Sequence, residues 1–322
     1  MSTEQCDRTN RVLYLMAMAA APLTFALLLA GATVTTLDVG MADTVWPTAP
    51  WYLVVLIAGG QALQHGLGFF IEHVHRLVGW LVGFLVVAFV VLAWGGSGGR
   101  KPRAASVALL ILVAVQGVLG GMRVLFVSRE LAVLHGILAH AFFTLCVVVA
   151  LSLKPGRTDA LKRSVGGENR RLGSRLRAAQ AAFGLVVLQI VTGTALRHLG
   201  IGLHLHILGA VLASLACAGL GFGLLFVGER TMFPIRGWLL LGGGLVQLLL
   251  GVAAWLTASG FGPYALEPVS LWHALAATAH MLLGSLLLAS TASVVPDLVL
   301  LTRTSWLSST PATPMAPAAK QV

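Results

Sequence analysis

Ten histidines occur in a chain of 322 residues that holds only 11 carboxylates and 21 Lys or Arg side chains. Their placement is more telling than their number. His75, His135, His206 and His280 lie 25, 19, 24 and 23 residues before the basic residues Arg100, Lys154, Arg230 and Arg303. At about 1.5 Å per helical residue, these separations place the four at one depth. His273 is 30 residues from Arg303 and falls outside that layer, so His280 is preferred and His273 is the alternative. Neutral imidazoles on facing helices suit axial ligation of a haem iron and bring no charge into an apolar interior. Zinc fits less well, because it wants four convergent N or S ligands and no cysteine lies near. A proton path and plain hydrogen bonding between helices are the other readings.

Glu72 stands beside this layer. Glu72 and His75 are spaced i, i+3 and share a helix face. His73, two residues from His75, points elsewhere. A carboxylate next to a porphyrin acts as a base or stabilises a developing cation. The simpler role is a carboxylate near a helix start, favoured by the helix dipole and paired with Arg76.

The elements that carry these residues follow from composition. The chain is 57% hydrophobic and 10% charged, with a mean hydropathy of +0.90. Soluble proteins are about 25% charged, and disorder requires low hydrophobicity, so both classes are excluded. Eight stretches are long and apolar enough to cross a bilayer: 12–36, 73–94, 104–122, 131–153, 177–196, 203–227, 235–257 and 271–302. They are continuous, without the alternation of barrel strands. Residues 51–60 are apolar but short, and read as an interfacial or re-entrant piece of the first long loop. Of the 21 basic residues, 17 fall on one side of these spans, leaving Arg76, Arg123, Arg129 and Arg197 on the other. The positive-inside rule then places both termini in the cytoplasm. The net charge of +10 is thus topological and implies no nucleic-acid partner. The N-terminus, with Glu4 and Asp7, reads as neither a signal nor a transit peptide, and a bacterial plasma membrane is expected. Cys6, Cys146 and Cys217 all fall outside the outer loops, so no external disulfide is expected.

The spans divide four and four. Residues 1–153 form an N-terminal four-helix bundle, 154–176 a basic linker, 177–302 a C-terminal bundle, and 303–322 a Thr/Pro/Ala-rich disordered tail. The halves echo each other. Gln-x-x-x-Gly recurs as Gln116–Gly120, Gln189–Gly193 and Gln247–Gly251. Spans four and eight each carry two histidines, His135 with His140 and His273 with His280. The expected fold is therefore all-α and polytopic, with eight transmembrane helices in two pseudo-repeated bundles. The small residues on odd-numbered spans read as close helix packing.

Three segments resemble the haem A synthase family of cytochrome oxidase assembly. Glu72-x-x-His75-Arg76 resembles its Glu-x-x-His-Arg motif, Trp46-Pro47 its Trp-Pro signature, and Thr192-Gly193-Thr194-Ala195-Leu196-Arg197-His198 its Thr-Gly-x-x-x-Arg-His stretch. The resemblance implies an oxidoreductase that converts a methyl group of haem O to the formyl group of haem A. It implies a substrate haem between His75 and His135, Glu72 as the catalytic carboxylate, and a haem b cofactor between His206 and His280 (or His273). Arg76, Arg123, Arg129 and Arg197 become candidates for the haem propionates, with interfacial snorkelling as their plainer role. Haem O synthase, cytochrome oxidase subunits and the lipid bilayer are the implied partners. Residues 37–71 contain no cysteine, where many members carry a pair, and Ile207 follows His206. A haem-binding or electron-transfer membrane protein without synthase chemistry is the alternative.

Overall fold

A computed structural model describes residues 3–40, 43, 45–96, 99–163, 172–226, 233–258 and 270–309. Among them the regular elements are α-helices: α1 (Thr3–Thr36), α2 (Pro50–Ala58), α3 (Gln61–Gln64), α4 (Leu67–Gly95), α5 (Arg100–Leu125), α6 (Arg129–Ser152), α7 (Arg157–Arg163), α8 (Leu172–Leu199), α9 (Leu203–Leu225), α10 (Pro234–Ala258) and α11 (Leu271–Ser309). Eight of these, α1, α4, α5, α6, α8, α9, α10 and α11, are long and apolar enough to cross a membrane. A helix satisfies its own backbone hydrogen bonds, which hydrocarbon cannot do for it. The chain is a multi-pass membrane protein.

Several helices outrun the apolar stretches. α1 starts at Thr3 where hydropathy starts at 12, α4 at Leu67 where it starts at 73, and α8 at Leu172 where it starts at 177. Hydropathy reports only the part that lies in hydrocarbon, whereas the helix continues into the interface. One consequence corrects the reading of Glu72. It lies in the second turn of α4, past the first turn where the helix dipole acts. The linker 154–176 contains α7, and the tail expected from 303 is helical as far as Ser309. Arg170, Arg171, Arg230 and the tail beyond Ser309, with Lys320, lie outside the described residues. The short apolar piece at 51–60 forms α2, started by Pro50, and both α2 and α3 pack on α4.

Helices α1, α4, α5 and α6 pack in a ring, as do α8, α9, α10 and α11. The rings meet where α6 touches α8 and α11 and where α1 touches α11. Leu28, Phe143 and Ala289 are buried in that seam. We call the end of the molecule that holds Arg8, Arg100 and Arg303 the basic end, and the end that holds residues 37–66 the loop end.

The two ends are packed differently. The first ring's core consists of Leu13, Val82, Val86, Phe89, Leu109, Phe142 and Val149, all in the half toward the basic end. The second ring repeats this with Val186, Leu220, Leu224, Leu240, Leu287, Val294 and Leu298. Toward the loop end of the second ring, by contrast, no residue from Leu245 to Ala258 or from Leu271 to Leu283 is buried. At the basic end Asp297, 1% exposed, takes hydrogen bonds from Arg157 of α7 and from Arg236 of α10 (3.0 Å). A buried carboxylate needs such partners.

Candidate functional site

In the second ring, α9 and α11 turn His206 and His280 toward each other. Their ring centroids are 6.2 Å apart with planes at 76°. His280 donates from Nδ1 to the Gln247 carbonyl (3.0 Å). The Gln247 side chain donates to the His280 carbonyl at 3.0 Å and makes a longer 3.4 Å contact with His280 Nε2. His206 Nδ1 lies 3.1 Å from Thr192 Oγ1. That hydroxyl gives its own proton to the Leu188 carbonyl (2.9 Å), so it accepts from the ring. Outer partners on Nδ1 fix the tautomer that presents an Nε2 lone pair. A metal held between two imidazoles by bonds of about 2 Å sets the ring centroids about 6 Å apart. His273 is placed otherwise: its Nδ1 binds the Ala254 carbonyl (3.1 Å) and contacts Thr257 Oγ1 (3.3 Å) at the loop end of α10.

In the first ring, His75 on α4 donates from Nδ1 to the Leu27 carbonyl of α1 (3.1 Å). His135 on α6 packs on α5, where Gln116 donates to the His135 carbonyl (3.0 Å). The His135 Nδ1 is buried without a hydrogen-bond partner. His75, His135 and Arg123 of α5 interact electrostatically with one another.

Glu72 is 3% exposed and built into a knot with the first loop. Arg76 donates to Glu72 Oε1 (2.5 Å), to the Asp43 carbonyl (2.5 Å), to the Val45 carbonyl (2.6 Å) and to Thr48 Oγ1 (2.8 Å). The Asp43 amide donates to Glu72 Oε2 (3.2 Å). His73, fully buried, places Nδ1 on the Phe69 carbonyl (2.8 Å) and Nε2 on Asp43 Oδ2 (3.1 Å). Both its nitrogens are engaged, so it offers nothing to a metal. Trp80 donates to the Thr48 carbonyl (3.0 Å), and the Trp46 ring, ahead of a cis bond to Pro47, lies against Gly121 of α5.

Residues 63–208 match the family model described as cytochrome oxidase assembly protein. The matched segment is less than half of the chain. The chain is also 33% identical over 98 residues to a protein named heme A synthase from Alkalihalophilus pseudofirmus. That match covers 30% of this chain and 33% of the relative, so it spans about a third of the relative's length. The family segment includes Glu72, His75, Arg76, Arg123, Arg129, His135, Arg197 and His206, whereas His273 and His280 lie beyond it.

Within the family segment the four arginines have separate tasks. Arg76 is committed to Glu72 and the loop. Arg197 of α8 donates to the Ala32 carbonyl of α1 (2.9 Å) and to Thr36 Oγ1, which ties the two rings together. Arg129 is exposed at the start of α6. Arg123 lies against Gly40 and interacts with Glu72 and Asp38 as well as with both histidines. Residue spacing missed Asp43, which reaches His73 across 30 positions of sequence. It also missed buried His140, whose Nδ1 binds the Gly136 carbonyl (2.7 Å) and whose Nε2 is buried without a partner. The extra histidine on an apolar helix was the available signal for His140. Asp43 sits in a polar loop and gave none.

Proposed function

We propose that this protein is a haem A synthase-like oxidoreductase of the plasma membrane of a bacterium. It oxidises the methyl group of haem O to the formyl group of haem A in the first ring, and holds haem b between His206 and His280 in the second. The observation that carries this reading is the 6.2 Å separation of two imidazoles whose Nδ1 atoms are already engaged. The lengths of α10 and α11 around His280, 245–258 and 271–283, hold no buried residue, and the family match supports the same role. Bound there, haem b would relay, one at a time, to an external one-electron acceptor the four electrons released when the methyl carbon takes an oxygen from water and becomes a formyl group.

The chain's own groups do the rest. His75 and His135 flank the substrate haem, and Arg123 orients its propionates. Glu72 stabilises the positive character that grows on the methyl carbon as electrons leave. Arg76 and the Asp43 amide aim that carboxylate, so it does not reorganise during the reaction. His280 rather than His273 completes the second pair, because His280 is the ring that faces His206, with centroids 6.2 Å apart. Both termini lie in the cytoplasm, since the positive charge gathers at the basic end. Haem O synthase and cytochrome oxidase subunits are the expected partners in supply and delivery.

One observation favours a second reading, a haem-binding or electron-transfer protein with no synthase chemistry: Glu72 is bound to Arg76 at 2.5 Å and anchors the loop. Haem extraction and chromatography separate the two. Membranes that contain haem O are compared with and without this protein. Haem A appearing only with the protein supports the synthase reading. Bound haem b with no haem A supports the second.

A further inference from the structure

The four histidines share a further feature. An ideal Cβ built on Gly31 would fall 2.9 Å from His75 Cε1. On Gly120 it would fall 3.1 Å from His135 Cε1, on Gly193 2.9 Å from His206 Cε1, and on Gly251 3.0 Å from His280 Cε1. The same ring atom is met each time, and the glycine always belongs to the preceding transmembrane helix: α1 for α4, α5 for α6, α8 for α9, α10 for α11. Among the described glycines, these four are the ones whose Cβ would strike an imidazole within 3.4 Å. The residue four before each glycine completes the groove in three cases. The Leu27 and Gln247 carbonyls accept from Nδ1, while the Gln116 and Gln247 side chains hold the histidine's own carbonyl.

We propose that Gly31, Gly120, Gly193 and Gly251 are positioning residues for haem ligation, a reading that rests on the haem sites proposed above. Each omits a Cβ so that the Cε1 edge of an imidazole fits against the neighbouring backbone. Close helix packing alone would explain glycine there too, but packing accepts alanine as readily. A seat for a ring does not. Ring position sets ligand geometry, and loss of outer support for a metal ligand typically costs about 10- to 100-fold in affinity.

The test uses the full chain, purified in detergent and titrated with haem b. Gly193→Ala and Gly251→Ala are compared with Gly184→Ala and Gly242→Ala, which lie on the same two helices and face open space. The readouts are haem affinity and the low-spin optical and electron paramagnetic spectra. The seat variants are expected to lose about 10- to 100-fold in affinity and to shift from low-spin to high-spin, while the two controls match wild type. Wild-type spectra and affinity in both seat variants overturn the proposal. Equal losses in seats and controls also overturn it. A wild-type protein that takes up no low-spin haem overturns the haem-site reading itself, a result the seat comparison cannot imitate. If Gly193→Ala fails to accumulate, the double variant Gly193→Ala with His206→Ala decides. Without the ring the added methyl has nothing to strike, so the double variant is expected to accumulate like His206→Ala alone, and failure to do so overturns the proposal.

Discussion

Glu72 is asked to be two things: the anchor of a loop and the charge nearest a reacting carbon. Charge and position separate the roles. Glu72→Gln keeps the size and the acceptor oxygen for Arg76 but removes the anion. Haem A formation is expected to fall by about 10²- to 10³-fold, the scale for losing one preorganised electrostatic contact, with the haem b spectrum unchanged. Pyridine haemochrome spectra of extracted haem check both. A similar comparison decides between the candidate ligands: His280→Ala is expected to abolish the low-spin signal of the second ring, and His273→Ala to retain it. At this scale the sequence is legible where partners lie within one helix. Glu72 and Arg76 read correctly as partners because i, i+4 spacing alone brings them together. Asp43 does not, because its partners Glu72 and His73 are 29 and 30 residues away, across α2 and α3, and no helical spacing links them.

Among the elements, the first loop owes its course to α4. Arg76 donates to three loop oxygens besides Glu72, and Trp80 adds a fourth contact one turn further along the same helix. Removing Arg76 leaves a buried carboxylate without its cation and three oxygens without their donor. Arg76→Ala is expected to destabilise the protein by about 3–5 kcal/mol, the usual cost of breaking a buried pair. Thermal unfolding in detergent and faster proteolysis within 37–66 are the measurements. The existence of eight spans was legible because 20-residue apolar runs have no other good explanation. Their ends were not. α4 begins with Leu67 and Gly68, where Gly68 lets Val39 of the loop approach, and such a contact leaves no mark on hydropathy.

For the whole molecule, two long-range ties hold the parts in register. Arg197 crosses from α8 to α1 over 165 residues, and Asp297 gathers Arg157 and Arg236 onto α11. Neither was visible in the chain, since a tie between rings depends on which helices touch, and composition is silent on that. Asp297→Ala leaves two arginines facing each other at a low-dielectric site. A loss of several kcal/mol in stability is expected, with haem affinity of the second ring little changed because the seats lie at the opposite end. Paired melting and haem titration measure the two effects.

In the second ring, the contrast between a filled basic end and the unburied lengths of α10 and α11 at the loop end gives the mechanics of a clothes peg. The spring is the close-packed apolar core, and the jaws are the lengths of α10 and α11 in which no residue is buried. If the second ring holds haem as proposed, the porphyrin enters or leaves by parting the jaws while the spring stays shut. Haem exchange then does not require global unfolding. Hydrogen exchange with and without haem is expected to change protection at 245–258 and 271–283 and to leave 284–301 as it was. Loading a peg bends it; it does not take it apart.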